Sequence, residues 1–247
     1  MDRMLYLAMS AAKQTMRAQT VNTNNLANVS TNGFKADLEQ FRSMPVFGDG
    51  HASRVYAMAE SPAVDTEPGP ISQTGRELDV AVRGQGWIAV QAPDGTEAYT
   101  RAGDLRVNGT GLLVNGAGHP VIGNKGGPIT VPQAEKIEIG GDGTISIRPV
   151  GQDANVLAEV DRIKLVNPDP AQLSKGEHGL IQLQGGAAAP ADAEVGLVSG
   201  ALEKSNVSAV ESMVRMIDLS RQYEAQIKLM KAAEENDSAA TRLLQMA

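Results

Sequence analysis

The stretch from Ala209 to Met246, AVESMVRMIDLSRQYEAQIKLMKAAEENDSAATRLLQM, contains neither Gly nor Pro. Strong helix formers dominate it, which predicts one continuous helix about 55 Å long. At steps of three and four, Met213, Met216, Ser220, Tyr223, Ile227, Met230, Glu234, Asp237, Thr241 and Leu244 share one face. That is a heptad seam, apolar at first and then interrupted by Glu234 and Asp237. A narrow stripe cannot stabilise so long a helix by itself, so a partner helix is required.

The other end of the chain supplies a candidate. Residues 2 to 29 also lack Gly and Pro, and Leu5, Ala8, Ala12, Thr15, Gln19, Asn22, Leu26 and Val29 repeat the spacing. Met9 and Met16 widen that stripe, Ala8 and Ala12 permit close approach, and Gln19, Asn22 and Asn25 place amides in it. Buried amides cost stability but select register and partner.

Composition narrows the function classes. The chain has 247 residues and a formal charge of −7, which argues against a nucleic-acid binder that neutralises phosphates. No basic run forms a polybasic membrane patch, and no apolar run has the length of a membrane span. Cysteine is absent, which removes disulfides, thiolate metal sites and cysteine nucleophiles. MLYLAMSAA at residues 4 to 12, behind Arg3, has the look of a signal-peptide core. Asp2 and the uninterrupted heptad pattern into Lys13 favour retained structure instead.

Taken in order, the N-terminal helix is expected to begin near Asp2 and to end in the Asn-rich run at residues 22 to 34, where Asn32-Gly33 is a stop signal. Four prolines between Pro45 and Pro70 mark an extended connection, with short strands expected near Arg54–Met58 and Ile71–Thr74. From Leu78 the pattern alternates: LDVAV, then Gly84-Gln85-Gly86, then WIAVQ at 87 to 91, Asp94-Gly95 and EAYTR. Short strands at Gly111–Val114, Pro120–Gly123 and Ile129–Val131 follow, then a hairpin over residues 136 to 150 turning at Gly141–Gly143. Further strands are expected at Ala158–Val166, Gly179–Gln184 and Leu197–Leu202, with GGAAAPADA (185 to 193) an exposed loop and Ser205 or Asn206 capping the last helix.

The fold class is therefore α+β: long N- and C-terminal helices forming a coiled-coil-like assembly layer, with a central, mainly antiparallel β domain. The expected divisions are an N-terminal arm at 1–34, a connecting segment at 35–76, a β-rich domain at 77–200 and a C-terminal arm at 201–247.

Nothing in the chain reads as an active site. His51, His119 and His178 are dispersed, Gly84–Gly86 and Gly140–Gly143 lack the Lys-Ser/Thr of a nucleotide loop, and Asp104 and Asp142 are single turn carboxylates. No catalytic set, cofactor or metal is expected.

Read together, the two ends resemble the axial proteins of the bacterial flagellum, the rod, hook and hook-associated family. The N-terminal motif is Asn24-Asn25-Leu26-Ala27-Asn28-Val29-Ser30-Thr31-Asn32-Gly33-Phe34-Lys35. Its C-terminal counterparts are Leu202-Glu203-Lys204-Ser205-Asn206-Val207, Val210-Glu211-Ser212-Met213-Val214 and Arg221-Gln222-Tyr223-Glu224-Ala225. Between them, Leu78–Val82, Gly86-Trp87, Tyr99–Gly103 and Gly118–Gly123 also match, so the resemblance spans nearly the whole chain. Gly126–Pro132 and the Leu243-Leu244-Gln245-Met246 ending look most like the proximal rod subunits, with distal rod or hook-type subunits the nearest alternative.

The resemblance implies a structural subunit, exported by the flagellar type III apparatus, that assembles with its own copies and neighbouring rod subunits in the periplasm. The resulting shaft and export channel would have helical arms inside and β domains outside, with no nucleic-acid partner and no membrane insertion. The assembly interface expected at the N-terminal end comprises Leu5, Met9, Ala12, Met16, Asn22, Asn25, Leu26, Asn28, Val29 and Phe34. At the C-terminal end it comprises Val210, Met213, Val214, Ile217, Tyr223, Ile227, Met230 and Leu244. Leu26 and Ile227 serve as apolar anchors, Asn25 and Asn28 as polar contacts between arms, and the unpartnered arms are expected to order on assembly. The competing reading is a secreted β-rich adhesin with coiled-coil arms.

Overall fold

The computed structural model of the chain describes residues 3–45, 55–60, 64–149, 151, 157–176 and 178–245. They divide into two compact units, one built from both chain ends and the segment 37–62, the other from residues 28–36 and 63–207.

In the first unit, α1 (Arg3–Ala27) and α2 (Ala209–Gln245) match the two Gly- and Pro-free stretches. Ser208, not Ser205 or Asn206, caps α2: its Oγ accepts the Glu211 N–H and its carbonyl accepts that of Ser212. β1 (Gln40–Pro45) and β2 (Val55–Glu60) pair antiparallel in register, Gln40 opposite Glu60 and Pro45 opposite Val55. β2 overlaps the strand expected from the sequence; β1 was expected to be irregular.

The second unit is mainly β, with one 3-10 turn at Pro170–Gln172. β3 (Ile71–Gln73), β4 (Val80–Arg83), β5 (Trp87–Gln91) and β6 (Glu97–Thr100) come first. β7 (Arg106–Val107), β8 (Leu113–Val114), β9 (Ala134–Ile139), β10 (Thr144–Pro149) and β11 (Ala158–Arg162) follow. β12 (Leu165–Val166), β13 (Leu173–Lys175), β14 (Ile181–Leu183), β15 (Gly196–Ser199) and β16 (Ala201–Glu203) complete it. The largest sheet runs β12-β5-β6-β14-β13, a second runs β11-β10-β9, and β15 with β4, β16 with β3 and β7 with β8 form two-stranded pairs. All these pairings are antiparallel.

β5 is buried on both faces. Successive strand residues point to opposite sides, so Ile88 and Val90 enter a core with Val82, Leu113, Ile129 and Ile145, while Trp87 and Ala89 enter another with Tyr99, Val166 and Ile181. Tyr99 donates its hydroxyl proton to Glu97 and accepts the Ala189 N–H at 2.7 Å. That bond draws Ala189 into the second core, although the sequence suggests an exposed loop there.

Gly33 fixes how residues 28–36 approach this unit. Its N–H donates to the Glu203 carbonyl at 2.8 Å, its φ is +67°, and a Cβ would lie 2.2 Å from the Arg101–Ala102 peptide. Gly33→Ala is expected to cost more than the roughly 1–3 kcal/mol of a strained backbone alone, because the collision is with backbone. Thermal denaturation checks this, and a parental Tm would refute it.

Burial first, then Glu97, pushes the Tyr99 phenol up to about 12 from 10.0. The folded state thus retains a proton that the unfolded chain gives up, so Tyr99 contributes stability below pH 10 that is lost as pH rises towards 12. Tyr99→Phe is expected to flatten that part of the stability–pH curve relative to the parent, measured by denaturant titration.

Candidate assembly interface

α1 and α2 pair antiparallel within one chain. Asn22 Nδ2 donates to the Ser212 carbonyl at 2.8 Å, and Gln226 Nε2 donates to Thr15 Oγ1 at 3.0 Å. On α1 the buried positions are Ala8, Ala12, Thr15, Ala18 and Asn22, flanked by half-buried Leu5 and Leu26. Small side chains let the helices approach closely, which suits this seam better than leucines would.

On α2 the seam is rotated from the expected one. Ser212, Met216, Leu219, Tyr223, Gln226, Met230 and Ala233 follow four-three spacing and are buried or half-buried. Met216, Tyr223 and Met230 belong to both registers. Met213 and Ser220 are exposed, Ile227 is half-buried at the margin, and Ala233 takes the place assigned to Glu234. The seam is polar at a cost: among the described residues, the buried Gln226 Oε1 accepts no hydrogen bond, worth about 1–3 kcal/mol. The Leu244 side chain lies outside the described residues.

The rotation leaves a second apolar stripe on α2. Val210, Met213, Val214 and Ile217 are 74%, 53%, 55% and 54% exposed, at i, i+3, i+4 and i+7. At 100° per residue they lie roughly opposite Ser212 and Leu219. On α1, Tyr6, Met9 and Met16 are likewise exposed.

Asn25 uses both amide atoms on the Asp37 backbone, at 3.0 Å each, and Asn28 Oδ1 accepts from the Thr31 hydroxyl. Asn22, by contrast, bonds directly from one arm to the other. Val29 and Phe34 are half-buried, and Phe34 lies under Lys175 Nζ at 4.1 Å.

Beneath the N-terminal motif is a cluster that sequence reading did not single out. Glu203, at the end of β16, receives Lys35 Nζ at 2.8 Å and the Gly69 N–H at 2.9 Å on Oε1, and Arg101 Nη1 at 2.8 Å on Oε2. The three charged side chains are 1–2% exposed. Lys35 also donates to the Glu67 carbonyl, Arg101 to the Gly84 carbonyl, and the Arg101 guanidinium lies 5.4 Å from the Trp87 ring. Burial holds the Lys35 ammonium below its ordinary range, against the pull of Glu203. A buried charge must be paired, yet the partners lie 168 and 102 residues apart, beyond any local pattern.

Among the described residues, no three His, Cys, Asp or Glu stand together as metal ligands. Burial lowers the His119 imidazole, His178 is exposed, and His51 lies outside the described residues. Asp142 accepts from the Thr144 N–H and hydroxyl within a turn.

Comparison with known proteins agrees along the length of the chain. A flagella basal body rod protein model matches residues 5–35, a flagellar hook protein FlgE/F/G D1 domain model matches 81–147, and a flagellar basal body rod FlgEFG protein C-terminal model matches 198–243. The flagellar basal-body rod protein FlgF of Salmonella typhimurium is 44% identical and that of Escherichia coli 42%, each over all of both chains. The flagellar basal-body rod protein FlgG of Bacillus subtilis is 31% identical over 95% of this chain and 96% of its own. Likeness of that extent, unbroken from the first helix to the last, means that the chain belongs to the flagellar basal-body rod protein family, and is a structural subunit of the basal body and not an enzyme.

Proposed function

We propose that the paired arms are the building block of the rod and that their outward faces join one subunit to the next. The observation that carries this is the exposed stripe Val210, Met213, Val214 and Ile217, set opposite the seam that holds α2 to α1. A helix with two apolar faces has two partners to satisfy, and α1 covers only one. Neighbouring rod subunits, whether copies of this chain or related proteins, supply the other cover. Met9 and Met16 offer the corresponding face on α1. The remaining interface residues, among them Leu5, Ala12, Leu26, Tyr223, Ile227 and Met230, act one step earlier by holding the pair together.

Fully burying such a side chain is worth about 1.5–3 kcal/mol. Four per stripe, repeated at every subunit, favour assembly. The contact joins unlike faces and is therefore heterologous, which permits a helical tube open to growth at one end. We place that tube in the periplasm as the drive shaft and export channel, its subunits delivered through the flagellar type III apparatus. The unpaired Gln226 oxygen costs the arm seam stability, which suits a chain that must be threaded before it assembles.

Two substitutions separate the two faces. Ile217→Asp is expected to leave the thermal transition and helix content of the purified subunit near parental while abolishing rod assembly and swimming in soft agar. Leu219→Asp, which buries a charge in the seam, is expected to loosen α1 from α2 and lower helix content before assembly is reached. Normal swimming with Ile217→Asp would remove the outward stripe from the interface.

A further inference from the structure

Residues 28–36 form a strap across the β unit, and almost everything that holds it is polar. Gly33 donates to the Glu203 carbonyl, Asn206 Oδ1 accepts the Ala36 N–H at 2.8 Å, and Lys175 Nζ donates to the Lys35 carbonyl at 3.2 Å. Neither apolar core contains a strap residue. Val29 and Phe34 are only half-buried, and Lys35 is the strap's one buried side chain. Hydrophobic docking therefore does not account for the closed strap.

We propose that Glu203 is an electrostatic latch that closes the strap, with Lys35 as the bolt and Arg101 as the fixed half of the catch. Glu203 gives one carboxylate oxygen to each cation. Without its charge, Lys35 and Arg101 become two buried like charges with no shared counter-ion among the described residues. Lys35 can leave because its segment belongs to neither core; Arg101 cannot, because its own side chain is tied to Gly84 and packed over Trp87. Loss of the latch thus releases the strap and leaves the sheets standing. The nine residues then become slack chain that can extend to about 30 Å.

Hydrogen exchange on the full-length protein tests this directly, with strap peptides carrying the Gly33 and Ala36 amides and β5 peptides carrying the Ala89 amide as the internal standard. Breaking a buried ion pair typically costs 3–5 kcal/mol, so Glu203→Gln is expected to speed strap exchange on the order of 100-fold or more while β5 exchange stays parental. Lys35→Met, which leaves the Glu203–Arg101 pair neutral and intact, is expected to open the strap alone by the same readout. Parental strap protection in Lys35→Met would overturn the latch. So would a loss of protection in that variant shared equally by strap and β5, since it would make the cluster an ordinary part of one cooperative core. If Glu203→Gln unfolds the whole unit, the Lys35→Met result decides.

Discussion

Two cations and one carboxylate, sealed from solvent, set the terms for the β unit. Lys35, Arg101 and Glu203 come from three separated parts of the chain and meet at 2.8 Å. Desolvating three charges is unfavourable, and their attraction offsets it only where the geometry is good and the remaining donors find acceptors. Most do: Lys35 reaches the Glu67 carbonyl, Arg101 the Gly84 carbonyl, and Glu203 also accepts the Gly69 N–H. Within the cluster, Arg101 Nε finds no hydrogen-bond acceptor among the described residues. Removing Glu203 leaves both cations buried without their shared partner, and breaking a buried pair in this way typically costs about 3–5 kcal/mol.

The helical unit follows a different rule. Its seam is built from Ala, Ser, Thr, Asn and Gln as much as from Leu and Met, so close approach and a few side-chain bonds replace bulk hydrophobic burial. The larger apolar residues, Val210, Met213, Val214 and Ile217, are left outside. In a protein that ended its life as a monomer, that distribution would be the wrong way round. On the assembly proposed above, the weaker contact falls to the chain itself and the stronger apolar surface to its neighbours.

How much was legible in the sequence depended on the range of the interaction concerned. Both helices could be read because propensity and the lack of Gly and Pro act locally, and β5 because its alternation is bracketed by Gly84–Gly86 and Asp94-Gly95. β1 escaped because QFRSMP has no clean alternation and carries a terminal proline. The rotated seam marks a subtler limit. Met216, Tyr223 and Met230 satisfy two heptad registers equally, and the choice between Leu219 and Ser220 is made by the small side chains of α1, not by α2. The cap was misplaced for a similar reason: Ser205, Asn206 and Ser208 are all capping residues by type, but Asn206 is engaged by Ala36, Asp65 and Glu67. The ion cluster was out of reach altogether, since its members sit unremarkably inside motifs that local pattern could only record as letters.

Trp87 is the sole tryptophan in the chain, and it stands at the start of the strand that both cores share, with the Arg101 guanidinium 5.4 Å from its ring. The indole excited state is sensitive to a nearby positive charge and to water. The protein therefore carries an intrinsic optical probe at the point where the ion cluster meets the apolar interior. No label has to be introduced to follow the folding of this unit, and the emission reports on one defined place, undiluted by other indoles.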